Sequence, residues 1–257
     1  MEVKSWADVT VGQFIEINSV TPDDFDTSID YSNFIIQVLS DIDIDTVEEM
    51  SFDEYERLTS TYSFISTSPR GKRQKNEISI NGSLMRVIDF KAITIGEFID
   101  LEHFISNGIN NNLGVICSII FRRVIKEATD FTSQEVEQYG DWIYLRAPLF
   151  NDVPIEHIFG HIMNYLSFRD NLFELYAGLF DSNEPEDEQD EPGDSLRTKL
   201  ERSQSNQQNK SARKWGWDVL LFKMAKSDPM KMVEATNMPL VQCFNTLSMA
   251  RELGLEI

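Results

Sequence analysis

Val9-Thr-Val-Gly-Gln-Phe-Ile-Glu-Ile17 and Ile93-Thr-Ile-Gly-Glu-Phe-Ile-Asp-Leu101 carry one pattern twice. Four of the nine positions are identical, and the other five are conservative exchanges. Thr10 and Thr94 stand where a short hydroxyl can accept from an early backbone N–H and cap a helix. Gln13 and Glu97, three residues on, can accept in return from the N–H of the cap residue, closing a capping box. Val9 with Phe14, and Ile93 with Phe98, have the spacing of a hydrophobic staple. Both stretches therefore predict helix starts. The same device recurs at Met50-Ser51-Phe-Asp-Glu54-Tyr55 and at Phe131-Thr132-Ser-Gln-Glu135-Val136. Four such starts argue for a mainly helical fold. The nine-residue pair either marks related half-domains or is simply two good caps, and the second, simpler reading is adopted.

Working outward, hydrophobic spacing predicts helices over 10–19, 30–40, 44–50, 51–60, 95–106, 112–127 and 132–139. Phe34, Ile35, Val38 and Leu39 share one side of the second. Residues 66–76 read as a basic loop. Glu77-Ile-Ser-Ile80 and Ser83-Leu-Met-Arg-Val87 flank Asn81-Gly82, the signal of a two-residue hairpin. Trp142-Ile-Tyr-Leu145 reads as extended. Asp152-Val-Pro154 opens a long helix to about Leu179, with a break near Arg169-Asp170-Asn171, since proline is tolerated in a first turn. Residues 181–212 are acidic and then polar and basic, and too poor in apolar groups to offset their ordering entropy, so they are expected to be a disordered linker. Order is expected to return over 213–257 as three short helices: one from Trp215, one started by Asp228-Pro229, and one started by Asn237-Met-Pro239 and stopped by Gly254. The expected architecture is thus a helical body over 1–180 with one small β-hairpin near 77–87, a linker over 181–212 and a C-terminal three-helix module over 213–257.

The chain of 257 residues has a formal net charge of −20. Residues 1–66 hold fifteen Asp or Glu against two Lys or Arg. A surface this negative repels phosphate, so nucleic acid and anionic membrane are poor partners, while a basic protein surface or a divalent cation fits better. The bland alternative is that the charge serves solubility alone. Cys117 and Cys243 lie in apolar helical contexts and are expected to be isolated buried thiols of a reduced, cytoplasmic chain. The longest apolar run, over 115–121, is too short to span a bilayer.

The spacing of the histidines, carboxylates and glycines points to no reactive centre. His157 and His161 have the spacing of a zinc pair, but Glu156-His-Ile-Phe-Gly-His161 lacks the glutamate that a zinc-protease helix places after its first histidine, so a structural role is expected. Asp41-Ile-Asp43-Ile-Asp45 fails as a calcium loop, because Thr46 and Phe52 fall where Gly and Glu are required. It reads as an acidic turn between helices. Gly71-Lys72 lacks the rest of a phosphate loop. No catalytic residue, metal ligand or cofactor is expected. The residues expected to meet a partner are Trp215, Trp217, Leu221, Met224, Leu240, Phe244 and Leu247. The competing reading is that both tryptophans stitch the terminal helices to the body.

The run Trp215-Gly-Trp217, Met224-Ala225, Asp228-Pro229, Asn237-Met-Pro-Leu240 and Phe244-Asn-Thr-Leu247 resembles the C-terminal segment of some tailed-bacteriophage proteins, including those of crAss-like phages. Thr94-Ile-Gly-Glu-Phe-Ile-Asp100, Phe121-Arg-Arg123 and Val153-Pro154 are similar to the same set. The resemblance covers about residues 90–255 without the linker. It implies a non-enzymatic assembly factor akin to a tail-assembly chaperone, binding a phage structural protein, above all of the tail, in the host cytoplasm. Its alternative is a virion component such as a connector, neck or internal protein. The resemblance carries over no active-site residue.

Overall fold

The computed structural model describes residues 3–69, 74–126, 129, 135–180, 216–217 and 220–254. Helices α1 (Val11–Asn18), α2 (Ser28–Ser40), α3 (Ile44–Glu48) and α4 (Phe52–Thr61) come first. Strands β1 (Glu77–Ile80) and β2 (Ser83–Val87) follow, then α5 (Ile95–Ser106) and α6 (Ile109–Ile120). Next are β3 (Phe121–Lys126), β4 (Glu135–Val136), α7 (Trp142–Arg146), α8 (Ile155–Leu175) and α9 (Ala177–Phe180). Helices α10 (Pro229–Thr236) and α11 (Leu240–Glu252) complete the described chain. The fold is mainly α, as expected. It forms two compact units: unit 1 is residues 1–88 and 104–167, and unit 2 is residues 89–103 and 168–257. Residues 213–257 thus share a unit with residues 89–103 and the end of α8 rather than standing by themselves. The stretch 181–212, read as a linker, lies outside the described residues.

In unit 1 the sheet runs β1-β2-β3-β4, all antiparallel. Asn81 and Gly82 both have positive φ, 49° and 76°, which matches the twist of the flanking strands. Ile78, Ile80 and Met85 are buried, in the alternation a half-covered sheet requires. The acidic turn reading holds: Asp41 ends α2 in the left-handed region, and the Asp43 carboxylate caps α3 by accepting from the Thr46 N–H at 2.8 Å.

Four expectations are corrected. The helix expected over 112–127 is α6 followed without a break by β3. The edge of β2 offers a ladder that pairs Met85 with Arg123 and Val87 with Phe121, and this outweighs continued helix. The helix expected over 132–139 is, in its described part, strand β4 paired to β3. Trp142–Leu145, expected to be extended, lies in α7. There the Arg146 guanidinium sits 3.7 Å above the Trp142 ring, a contact that the four-residue spacing of a helix supplies. The long helix breaks after Leu175, not near Arg169.

The two repeated segments do more than cap. In unit 1, the Thr10 hydroxyl accepts from the Gln13 N–H at 3.2 Å, and the Thr10 N–H donates to Gln13 Oε1 at 3.1 Å. In unit 2, the Glu97 N–H donates to Thr94 Oγ1 at 3.2 Å, and the Thr94 N–H donates to Glu97 Oε2 at 2.6 Å. Each segment then pairs with the start of a later helix. The Val11 N–H donates to the Val153 carbonyl at 2.8 Å, and the Ile155 N–H to the Val9 carbonyl at 2.9 Å. The Ile95 N–H donates to the Met238 carbonyl and the Leu240 N–H to the Ile93 carbonyl, both at 2.9 Å. Two helix N-termini thus satisfy one another's first unpaired N–H groups. The motif spans Thr-x-Gly-x-Phe and a later Val/Met-Pro-Ile/Leu. It occurs once in each unit, and the four segments alternate along the chain. Beyond capping, the two segments therefore make the same pairing, one in each unit.

Candidate functional site

Phe14 follows Thr10 by four residues and Phe159 follows Val153-Pro154 by five, so the hook brings the two rings together. Their centroids lie 6.1 Å apart, edge to face. Trp6 adds a third ring, edge-on to Phe14 at 5.6 Å and to Phe64 at 5.3 Å. The Trp6 indole N–H is anchored by donating to the Thr67 carbonyl at 2.7 Å. Trp6, Phe14 and Phe159 line part of an open cavity of about 370 Å³ in unit 1, with Ile17, Tyr31, Ile65 and several polar residues on its other sides. A second cavity of about 290 Å³ shares Tyr31, Ile65 and Ser66 with it and continues between α2 and residues 59–66. Phe159, Tyr31 and Ile65 are only half-buried.

The lining residues come from stretches of opposite charge: residues 65–69 run into Arg70-Gly-Lys-Arg-Gln-Lys75, while those from 6 to 31 lie in an acidic stretch. No Lys or Arg occurs between Lys4 and Arg57. Glu16, Asp23, Asp24, Asp26 and Asp30 flank the lining residues in sequence, and all are exposed. Asp24 accepts from the backbone N–H and the hydroxyl of Thr21, which holds its carboxyl below the usual range. The lining mixes the aromatic rings with Asn18, Ser66, Thr67, Ser68 and Asn110, so the hollow is partly aromatic and largely polar.

The residues expected to bind a partner sit elsewhere. Leu221, Leu240, Phe244 and Leu247 are buried in unit 2. Met224 is half-buried, with the Cys243 thiol 3.6 Å from its sulfur. Trp217 is half-buried, parallel to the Phe244 ring at 6.0 Å and edge-on to Phe98 at 5.1 Å. Trp215 lies outside the described residues. The chain's own aromatics take up the surface that these residues were expected to offer. Apolar spacing shows that a face is covered, not by which molecule. The cavity residues Trp6, Tyr31, Ile65 and Phe159 were not singled out in the sequence; of the rings lining it, the hook repeat marks Phe14 and Phe159 alone.

Two polar clusters are structural. His161 is buried, with Nε2 3.0 Å from the Lys75 carbonyl and Nδ1 2.9 Å from Gln74 Nε2. That arrangement fits a neutral ring that donates through Nε2 and accepts at Nδ1. Burial lowers its pKa from the ordinary value. Arg146 is buried and donates to the Ser118 and Phe121 carbonyls, at 2.8 and 3.1 Å, and to Glu137 Oε2 at 2.7 Å. It caps the end of α6 where β3 begins. Cys117 and Cys243 are free and buried, as expected, and burial pushes the Cys243 thiol up to about 11. Among the described residues no helix is long and apolar enough to cross a membrane.

No family model, curated protein or solved structure matches this chain.

Proposed function

We propose that this chain is a non-enzymatic bacteriophage assembly factor that holds a segment of a virion protein, above all of the tail, in the manner of a tail-assembly chaperone. The resemblance of residues 90–255 to tailed-phage proteins supplies the context. The observation that carries the reading is the partly aromatic-walled cavity of unit 1, lined in part by residues of the acidic stretch 1–66. Its aromatic part shields an apolar group, and the acidic stretch speeds encounter with a basic partner.

The test is a pull-down from infected cells with the full chain, beside mass spectrometry of purified virions. Capture of a tail protein, reduced by Tyr31→Ala, with the chain absent from virions, supports the reading. Presence in virions at a fixed copy number overturns it in favour of a structural component. Failure to capture any virion protein overturns both.

A further inference from the structure

The chain has two Asn-Gly pairs, Asn81-Gly82 and Asn107-Gly108. An asparagine carboxamide can be attacked by the backbone nitrogen of the next residue, and a glycine there leaves that nitrogen unshielded by any Cβ. Both pairs are exposed, so bonding and not access separates them. Asn81 and Gly82 form the turn between β1 and β2, closed by the Ile80–Ser83 pair. Among the described residues, neither the Asn81 carboxamide nor the Gly82 N–H has a hydrogen-bond partner, and a Cβ on Gly82 would meet nothing within 4 Å. The turn ends an outer strand that pairs with β2 alone, and such an end opens with little loss. Asn107-Gly108 is clamped between α5 and α6. The Gly108 N–H donates to the Ile105 carbonyl at 3.1 Å, and Asn112 Nδ2 donates to the Gly108 and Phe104 carbonyls at 3.0 and 3.1 Å.

We propose that Asn81 is a self-modification site, at which a slow loss of ammonia rewrites the β1–β2 turn. The Gly82 nitrogen gives its proton to solvent base and attacks Asn81 Cγ. A C–N bond forms, the bond from Cγ to the side-chain nitrogen breaks, and that nitrogen leaves as ammonia with a proton from water. A second water opens the cyclic imide at either of its carbonyls, and nothing is oxidised or reduced. Opening at Cγ leaves an aspartate, which suits the positive φ of 49° at this turn position as asparagine does. Opening at the backbone carbonyl carbon routes the main chain through Cβ and Cγ and lengthens the loop by one atom. Loop length fixes hairpin register, so this isoaspartyl product unpins Ile78 from Met85 and Ile80 from Ser83. β1 then loses the one strand it pairs with, and Ile78 and Ile80, now buried, lose their cover. The step needs only water and the chain itself, so it stands whatever partner the protein serves.

The full chain is incubated at pH 8.5 and followed by peptide mass spectrometry, with methyl transfer by an isoaspartate-specific methyltransferase to mark the rerouted chain. The Asn81 amide is expected to be lost about fivefold or more faster than that of Asn107, the rate equivalent of one backbone hydrogen bond that Gly108 must release. In urea, where neither setting survives, the two should react alike. Amide hydrogen exchange at Ile78 and Ile80 is expected to quicken as the parent ages, and to change far less in Asn81→Asp, which keeps the turn and has no amide to lose. Equal rates at Asn81 and Asn107 in the folded chain overturn the proposal, as does an intact Asn81 after a time in which the urea-unfolded chain has reacted. A product that is aspartate alone, or isoaspartate at position 81 with unchanged exchange in β1, overturns it as well.

Discussion

Gly96 stands where the chain leading into the later segment of its hook comes closest. A Cβ there would lie 3.0 Å from the Thr236 Cβ and 3.1 Å from its carbonyl oxygen. Gly12 holds the same place in the other hook, with the Asn151 carbonyl at 3.3 Å. Gly178 has nothing within 4 Å and lies inside α9. Gly96→Ala is therefore expected to destabilise the protein by about 1–3 kcal/mol in urea unfolding. Gly178→Ala is expected to stabilise it by about 0.5–1 kcal/mol through the unfolded chain. Equal effects at the two sites would show that the close approach is not real. His161 gives a second residue-scale prediction. Its pKa is lowered on folding from 6.5, so above that value it is neutral in both states and its contribution is intact. As pH falls through 6.5 the unfolded chain binds the proton first, and stability is lost down to the folded pKa. Stability measured at pH 7.5 and 5.5 should fall more for the parent than for His161→Gln. Parallel curves would refute this.

At the scale of elements, the junction of α6 and β3 has no Gly or Pro to mark it. It is fixed from outside, by the edge of β2 and by Arg146. Burial pulls the Arg146 guanidinium down to about 10, while the Glu137 carboxylate pulls it upward, so it stays charged at neutral pH. Arg146→Met should take their Arg146 donor from two carbonyls and leave the Glu137 carboxylate with Arg123 as its partner, at roughly 2–3 kcal/mol. Arg146→Lys should recover little, because an ammonium lacks the planar fork that reaches three acceptors. Full recovery by Lys in thermal melting would mean that charge alone matters there. The elements misread from sequence are the ones decided this way. Phe121–Lys126 and Trp142–Arg146 each suit two states locally, and β2 and the bonds of Arg146 to the Ser118 and Phe121 carbonyls choose between them. By contrast α1, α5 and the β1–β2 hairpin carry their own caps and turn, so they were legible.

For the whole molecule, the alternation of hook segments along the chain has a folding consequence. Ile93, Ile95, Phe98 and Leu101 are buried in unit 2, whose other hook segment starts at Met238. A chain ended at residue 180 keeps the first segment and loses the second. It should bind an apolar dye strongly and aggregate, although residues 1–180 read in sequence as one body. A soluble truncation without dye binding would contradict the pairing. Charge acts at this scale too. With a net charge of −20, association with a basic client should slow as salt rises and exposed charges are screened, with the on-rate falling more than the off-rate rises. An on-rate indifferent to salt would remove charge from the account of partner choice.

Composition and spacing alone determined the helical class, the caps at Thr10 and Thr94, the Asn81-Gly82 turn, the acidic turn at Asp41–Asp45 and the buried thiols. Each of these is settled by atoms within about four residues of one another, where capping and turn geometry act. Only the tertiary structure decided that the two Thr-x-Gly-x-Phe segments hook onto Val153-Pro154 and Met238-Pro239. Only it turned Leu240, Phe244 and Leu247 into core and left Phe159 half-open beside a cavity. The reason is physical: apolar burial has no direction along the chain, so a sequence states that a face must be covered and leaves open what covers it.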